Sequence, residues 1–312
     1  MTIAFTFPGQ GSQAVGMGKA LAEAYPEARA VFDEVDDALG EKLSTIIFEG
    51  PIETLTLTQN AQPALMAVSI AAARVLAAKG LGVDRAAYAA GHSLGEYSAL
   101  AAAGSLAVAD AARLLRIRGK AMQEAVPVGQ GAMAALLGMD LEAARAIAAD
   151  AAEGEVCDPA NDNGAGQVVV SGSKAAVERA VELAKERGAR RAVLLPVSAP
   201  FHCALMAPAA KVMAEALAGV TIKAPVVPVV ANVTARPETD PEAIRRNLVD
   251  QVTGMVRWRE SVAFLAGAGV DMFVEVGSGK VLSGLAKRIA DGVETQTAGT
   301  PEDIDAAAAR LA

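Results

Sequence analysis

Residues 91–95 read Gly-His-Ser-Leu-Gly, and they stand between a short apolar stretch, 86–90, and a helix-suited run, 95–103. A serine with glycine two residues away on either side suits a sharp strand-to-helix turn, where side chains at the glycine positions would meet backbone. Such a turn requires a strand that feeds a helix, the unit of a parallel α/β sheet. Elsewhere the same alternation appears: a strand at 2–7, a helix over 19–39, a buried helix over 58–79, and strands at 225–230 and 272–276. The acidic, alanine-rich tail after Gly292 reads as a surface helix.

The middle of the chain follows another order. Residues 131–137 read as strand, 141–152 as helix, 156–160 and 167–171 as strands, 174–187 as helix and 191–196 as strand. That βαββαβ succession is the ferredoxin-like unit, about 70 residues and enough for a small domain. The expected fold is therefore α/β, with a hydrolase-like parallel-sheet large domain (1–126 and 198–312) interrupted by an inserted ferredoxin-like small domain (127–197). A cleft is expected between the two.

Hydrophobic residues make up 53% of the 312, ample for a core of that size. No apolar run reaches the roughly 18 charge-free residues of a membrane span, the best, 64–73, ending at Arg74, and the N-terminal MTIAFTFPGQG lacks the basic region of a signal peptide. Only Cys157 and Cys203 are present, which points to a reducing cytoplasm. A net charge of −8 argues against nucleic-acid binding.

A G-x-S-x-G pattern arises often by chance, but the strand-turn-helix context makes Ser93 a candidate nucleophile, with the following helix N-terminus supplying free N–H groups. The chain has two histidines. His92 precedes Ser93 directly, so its ring points the other way on an extended strand. His202, in VSAPFHCALM, is then the imidazole available as base. On a helix over 107–126, Ala107, Ala111, Leu114, Leu115, Met122 and Ala125 share one face, and Arg118 is the one charge within it. A buried guanidinium must be paired. Two partners remain open from helix geometry: an internal carboxylate such as Glu96, or a carboxylate on the substrate held by a bidentate fork. Residues 9–14, GQGSQA, match a dinucleotide fingerprint but lack the acidic residue that must close a second strand about 20 positions on. A serine esterase is the competing reading, although its histidine normally lies near the C-terminus and here 110 residues follow His202.

Six segments in order carry a resemblance: FPGQGSQ (7–13), GHSLGEYSAL (91–100), RIRGKAMQ (116–123), SAPFHCALM (198–206), NVTA (232–235) and FVEVGSGKVL (273–282). Together they resemble the malonyl-CoA:acyl carrier protein transacylases, including the acyltransferase domains of fatty-acid and polyketide synthases. The resemblance implies a Ser93–His202 dyad, with the backbone carbonyl of Gln251 orienting the imidazole in place of an aspartate. It implies an oxyanion hole from the backbone N–H groups of Gln10 and Leu94, and it makes Arg118 the binder of the malonyl carboxylate. Phe201 matches the malonyl-selecting form of the motif, where relatives that use methylmalonyl usually carry serine. Partners implied are malonyl-CoA and acyl carrier protein, with no metal or redox cofactor, and a monomer is expected. Two basic clusters are candidates for carrier docking: Lys185, Arg187, Arg190 and Arg191, and Lys287 with Arg288. Solvated helix ends favoured by the dipole are an equal alternative for both.

Overall fold

The computed structural model describes residues 1–311. Ten strands are defined in chain order: β1 (Ile3–Phe7), β2 (Tyr88–Gly91), β3 (Gly131–Leu137), β4 (Cys157–Asp162), β5 (Gln167–Ser173), β6 (Arg191–Leu194), β7 (Val229–Val230), β8 (Pro237–Glu238), β9 (Met272–Val276) and β10 (Glu294–Ala298). They form two sheets. The larger runs β10-β9-β1-β2-β7-β8 and is parallel except for the β7–β8 pair. The smaller runs β4-β5-β3-β6 and is antiparallel throughout, the order of a ferredoxin-like unit.

Alternation along each strand decides which core it joins. In β1, Ile3, Phe5 and Phe7 face the main core, whereas Ala4 faces a second cluster around Trp258 and Phe273. In the small sheet, Ala134, Leu136, Val168 and Val170 pack on the helices Leu141–Ala152 and Lys174–Glu186. Met133, Ala135 and Val169, on the opposite face, join the main core. Both faces of this antiparallel sheet are therefore buried at β3 and β5, which is why residues 132–137 and 168–170 read as continuous apolar runs.

The helix Thr58–Ala78 has the length and hydropathy to cross a membrane, but most of it is buried within the protein, against the helices Pro26–Leu39 and Val108–Glu124. Three expectations are corrected. The 19–39 helix is two helices, Lys19–Ala24 and Pro26–Leu39, because Tyr25 is extended and Pro26 starts the second; a proline inside one continuous helix would lose a bond and clash. Only Val229–Val230 of the 225–230 stretch pairs as strand, since Pro225 and Pro228 have no N–H to donate. The tail after Gly292 is not helix alone: polar β10 precedes the helix Pro301–Leu311 and extends the sheet at its edge beside β9.

Candidate active site

The strand β2 delivers the chain to Ser93, with Gly91 in register with Phe7 of β1. A Cβ on Gly91 would lie 1.9 Å from the Gly95 carbonyl oxygen, and one on Gly95 would lie 2.2 Å from that of Phe7. Both glycines are therefore obligatory for the turn. Ser93 itself is left-handed, with φ 53°, a conformation that costs a non-glycine residue about 1 kcal/mol or more. Asn232 holds it there: its side-chain oxygen accepts the Ser93 N–H at 2.7 Å, and its N–H₂ donates to Gly91 O at 2.7 Å.

The Oγ of Ser93 lies 2.7 Å from Nε2 of His202, across 109 positions of sequence. Nδ1 of His202 faces the carbonyl oxygens of Gln251 at 2.9 Å and Gly254 at 3.1 Å. Carbonyls only accept, so Nδ1 carries the proton and Nε2 is the free base facing the serine hydroxyl. Burial, and next the Arg118 charge, push the imidazole pKa down to about 3. His202 also sits at positive φ, 59°. The other histidine turns away, as its place beside Ser93 requires: His92 Nε2 bonds Asn163 Oδ1 at 2.9 Å, and its ring lies tilted 5.7 Å from Trp258.

Arg118 is 1% exposed. Its Nη1 donates to Gln62 Oε1 at 2.7 Å, and its Nη2 donates to Gln251 Oε1 at 2.8 Å and to Ser93 Oγ at 3.1 Å. Its plane lies 5.7 Å from the centre of the Tyr97 ring, and its Nε has no partner. The internal salt bridge to Glu96, left open by helix geometry, does not form. The Glu96 carboxylate accepts instead from the backbone N–H of Asn232 at 3.0 Å and from Gln251 Nε2 at 2.7 Å. Burial raises that carboxyl to about 7. The guanidinium is thus held by neutral oxygens and a ring face, and among the described residues no carboxylate is paired with it. A buried cation in that state is strongly stabilised by an incoming anion.

The loop after β1 presses against the Ser93 turn, since a Cβ on Gly9 would lie 2.7 Å from His92 O. The next residue is Gln10. Neither its backbone N–H nor that of Leu94 has an acceptor among the described residues. Phe201, directly before His202, is buried in the main core. Of the basic clusters, Lys185 and Arg187 are engaged with Glu182 and Asp150, whereas Lys287 and Arg288 occupy the last turn of the helix Val281–Ile289.

Structure thus brings Ser93, His202, Arg118 and Gln251 into one hydrogen-bonded group. It adds Gln62, Glu96 and Asn232 as their holders, and the Gln251 side chain as well as its carbonyl. Gln62 carried no separate signal, as one of several polar side chains in the first turns of its helix. Asn232 carried none beyond its place in the NVTA segment.

A family model described as "Acyl transferase domain" matches residues 4–301. A protein of Bacillus subtilis (strain 168) called malonyl CoA-acyl carrier protein transacylase is 50% identical over 306 residues, covering 98% of this chain and 96% of its own length. The crystal structure of an acyl-carrier-protein-S-malonyltransferase from Bartonella henselae superposes with TM-score 0.97 at 59% identity, covering 100% of this chain and 99% of that one. A malonyl-transacylase solved in complex with its type II polyketide acyl-carrier protein matches with TM-score 0.96 at 44% identity, over 99% of this chain and 100% of its own. On this evidence the chain belongs to the acyl transferase domain family, and within it to the malonyl-CoA:acyl carrier protein transacylases.

Proposed function

We propose that this protein transfers the malonyl group from malonyl-CoA to the phosphopantetheine thiol of acyl carrier protein through a malonyl ester on Ser93. The observation that carries the reading is the position of Ser93 Oγ, within hydrogen-bonding distance of a neutral imidazole nitrogen and of a buried guanidinium with no carboxylate partner among the described residues.

Malonyl-CoA docks with its free carboxylate on Arg118 and its thioester oxygen toward the N–H groups of Gln10 and Leu94, which have no acceptor among the described residues. Ser93 Oγ attacks the carbonyl carbon while its proton passes to His202 Nε2. The intermediate collapses by breaking the C–S bond, and the imidazolium protonates the departing thiolate of coenzyme A. In the second half the carrier thiol gives its proton to His202, its sulfur attacks the ester, and the C–O bond breaks with the proton returning to Ser93. The substrate carboxylate has a further effect. By neutralising the Arg118 field that helps lower His202, it makes the imidazole a stronger base when substrate is bound. Phe201 crowds an α-methyl group, which favours malonyl over branched acyl groups; one such carbon is worth about 1–3 kcal/mol.

The division into 1–126 with 198–312 and 127–197 is supported by the placement of all four small-sheet strands within residues 131–194. We also place the reaction in the cytoplasm, in keeping with two buried free thiols. A monomer suffices, because every group in the site comes from one chain.

Mass spectrometry after brief incubation with malonyl-CoA tests the reading. The malonyl mass is expected on the peptide containing Ser93, and is expected to be discharged when carrier protein is added. Malonate release that is fast and indifferent to carrier protein would instead mark a hydrolase.

A further inference from the structure

Gln251 is fully buried, and its side-chain amide has one chemically consistent orientation. Its Oε1 accepts from Arg118 Nη2 at 2.8 Å, while its Nε2 donates to Glu96 Oε2 at 2.7 Å and to the Ser93 carbonyl at 3.0 Å. Turned over, the amide would set N–H against the guanidinium, which has no acceptor, and oxygen against a carboxylate and a carbonyl. All three bonds would be lost. Two acceptors enforce the orientation, and Glu96 supplies the one that comes from a side chain.

The same carboxylate oxygen also accepts the backbone N–H of Asn232 at 3.0 Å. Asn232 in turn receives the Ser93 N–H at 2.7 Å. Glu96 therefore joins two structures that need not have been linked: the amide that aims Arg118, and the asparagine that holds the Ser93 turn. It does so without pairing with Arg118 itself, whose side-chain bonds go to Gln62, Gln251 and Ser93.

We infer that Glu96 is a positioning residue for acyl selection: through Gln251 it aims the Arg118 guanidinium at the carboxylate of the acyl group, while leaving the positive charge free to be neutralised by substrate. This deepens the reading of Arg118 as the carboxylate binder and rests on it. Glu96 touches no reacting atom. Its signature is a change in preference between a charged and an uncharged acyl group, beyond any general loss of rate.

The test compares transfer from malonyl-CoA with transfer from acetyl-CoA, the same kind of thioester without the distal carboxylate, in the full chain. Glu96→Met keeps the length and removes the acceptor; Glu96→Gln keeps an acceptor oxygen. With Glu96→Met the ratio of kcat/KM for malonyl over acetyl is expected to fall about tenfold, the scale of one weakened hydrogen bond to a charged group, with the KM for malonyl-CoA raised. Glu96→Gln is expected to keep the ratio within about threefold. Equal losses on both substrates with Glu96→Met, or a Gln variant that loses preference as fully as the Met variant, would overturn the proposal. Should Glu96→Met fail to fold, Gln251→Met keeps the backbone carbonyl under His202 and removes the amide. It is expected to show the same fall in preference, and an unchanged ratio would overturn the proposal equally. Arg118→Ala run in parallel separates the two questions. If it leaves the preference intact, the carboxylate-binding reading fails, whatever Glu96 does.

Discussion

Burial and the Arg118 guanidinium both disfavour a proton on His202, bringing its pKa to about 3, while the carbonyls of Gln251 and Gly254 hold the proton on Nδ1. Nuclear magnetic resonance titration of the ring should therefore show it neutral from pH 8 down to about pH 4. A midpoint near the ordinary 6.5 would contradict this account. In Arg118→Gln the midpoint should rise, because the second-largest depressing cause is gone. The same shift has a consequence for stability. Below pH 6.5 the unfolded chain takes up a proton at this position and the folded one does not, so the contribution of His202 is present above 6.5 and is lost as the pH falls toward 3. At this scale the sequence was partly legible. Arg118 stood out as a charge on an apolar helix face, and His202 by elimination. Glu96 was legible only as a possible partner of Arg118, and the roles of Glu96, Gln62 and Asn232 were not, because they lie in contacts with residues 56 to 155 positions away, and such contacts leave no local pattern.

Between elements, the decisive contact is that of the helix Val108–Glu124 on the start of the helix Thr58–Ala78. A Cβ on Gly119 would lie 2.6 Å from both the Gln59 Cα and the Thr58 carbonyl oxygen. Neither is a flexible side-chain end, so Gly119→Ala must part the two helices. Overpacking of that kind costs about 1–3 kcal/mol. Parting the helices also stretches the 2.7 Å bond from Arg118 to Gln62. The expected result is a lower midpoint of thermal unfolding together with a loss of malonyl transfer that exceeds the loss of acetyl transfer. A variant with both quantities unchanged would show that the helix contact is not needed. Strand and helix types were largely readable from periodicity, down to β3 and the helix Leu141–Ala152 at their observed limits. The edge strand β10 was not, since Glu-Thr-Gln-Thr has no apolar alternation and becomes strand by pairing with β9.

Across the whole molecule, the small sheet braces the loops around His202. Its edge strand β4 runs on past a register shift, pairs Asn161 with Val256, and exchanges Asp162 N–H to Val256 O at 2.9 Å and Val256 N–H to Ala160 O at 2.9 Å. Buried Asp162 meets Arg259 at 2.7 Å, and Asp158 accepts the Ala204 N–H at 3.0 Å just beyond His202. Arg259→Ala should leave the Asp162 carboxylate short of a partner, at a cost of about 1–3 kcal/mol. Hydrogen exchange should then quicken in β4 and around Val256 more than in β1 or β9. Uniform protection across the sheets would mean that this ion pair does not secure the junction. What the sequence determined by itself was the fold class, the βαββαβ succession of its middle part and the choice of Ser93, His202 and Arg118 as candidates, because glycine spacing, periodicity and a stranded charge are local properties of the chain. What only the tertiary structure decided was the state of those groups. That Arg118 has no carboxylate partner among the described residues, that His202 is neutral with its proton on Nδ1, and that Glu96 and the Ser93 carbonyl set the Gln251 amide all depend on which distant polar groups are buried together, where an unmatched donor or charge is costly enough to select a single arrangement.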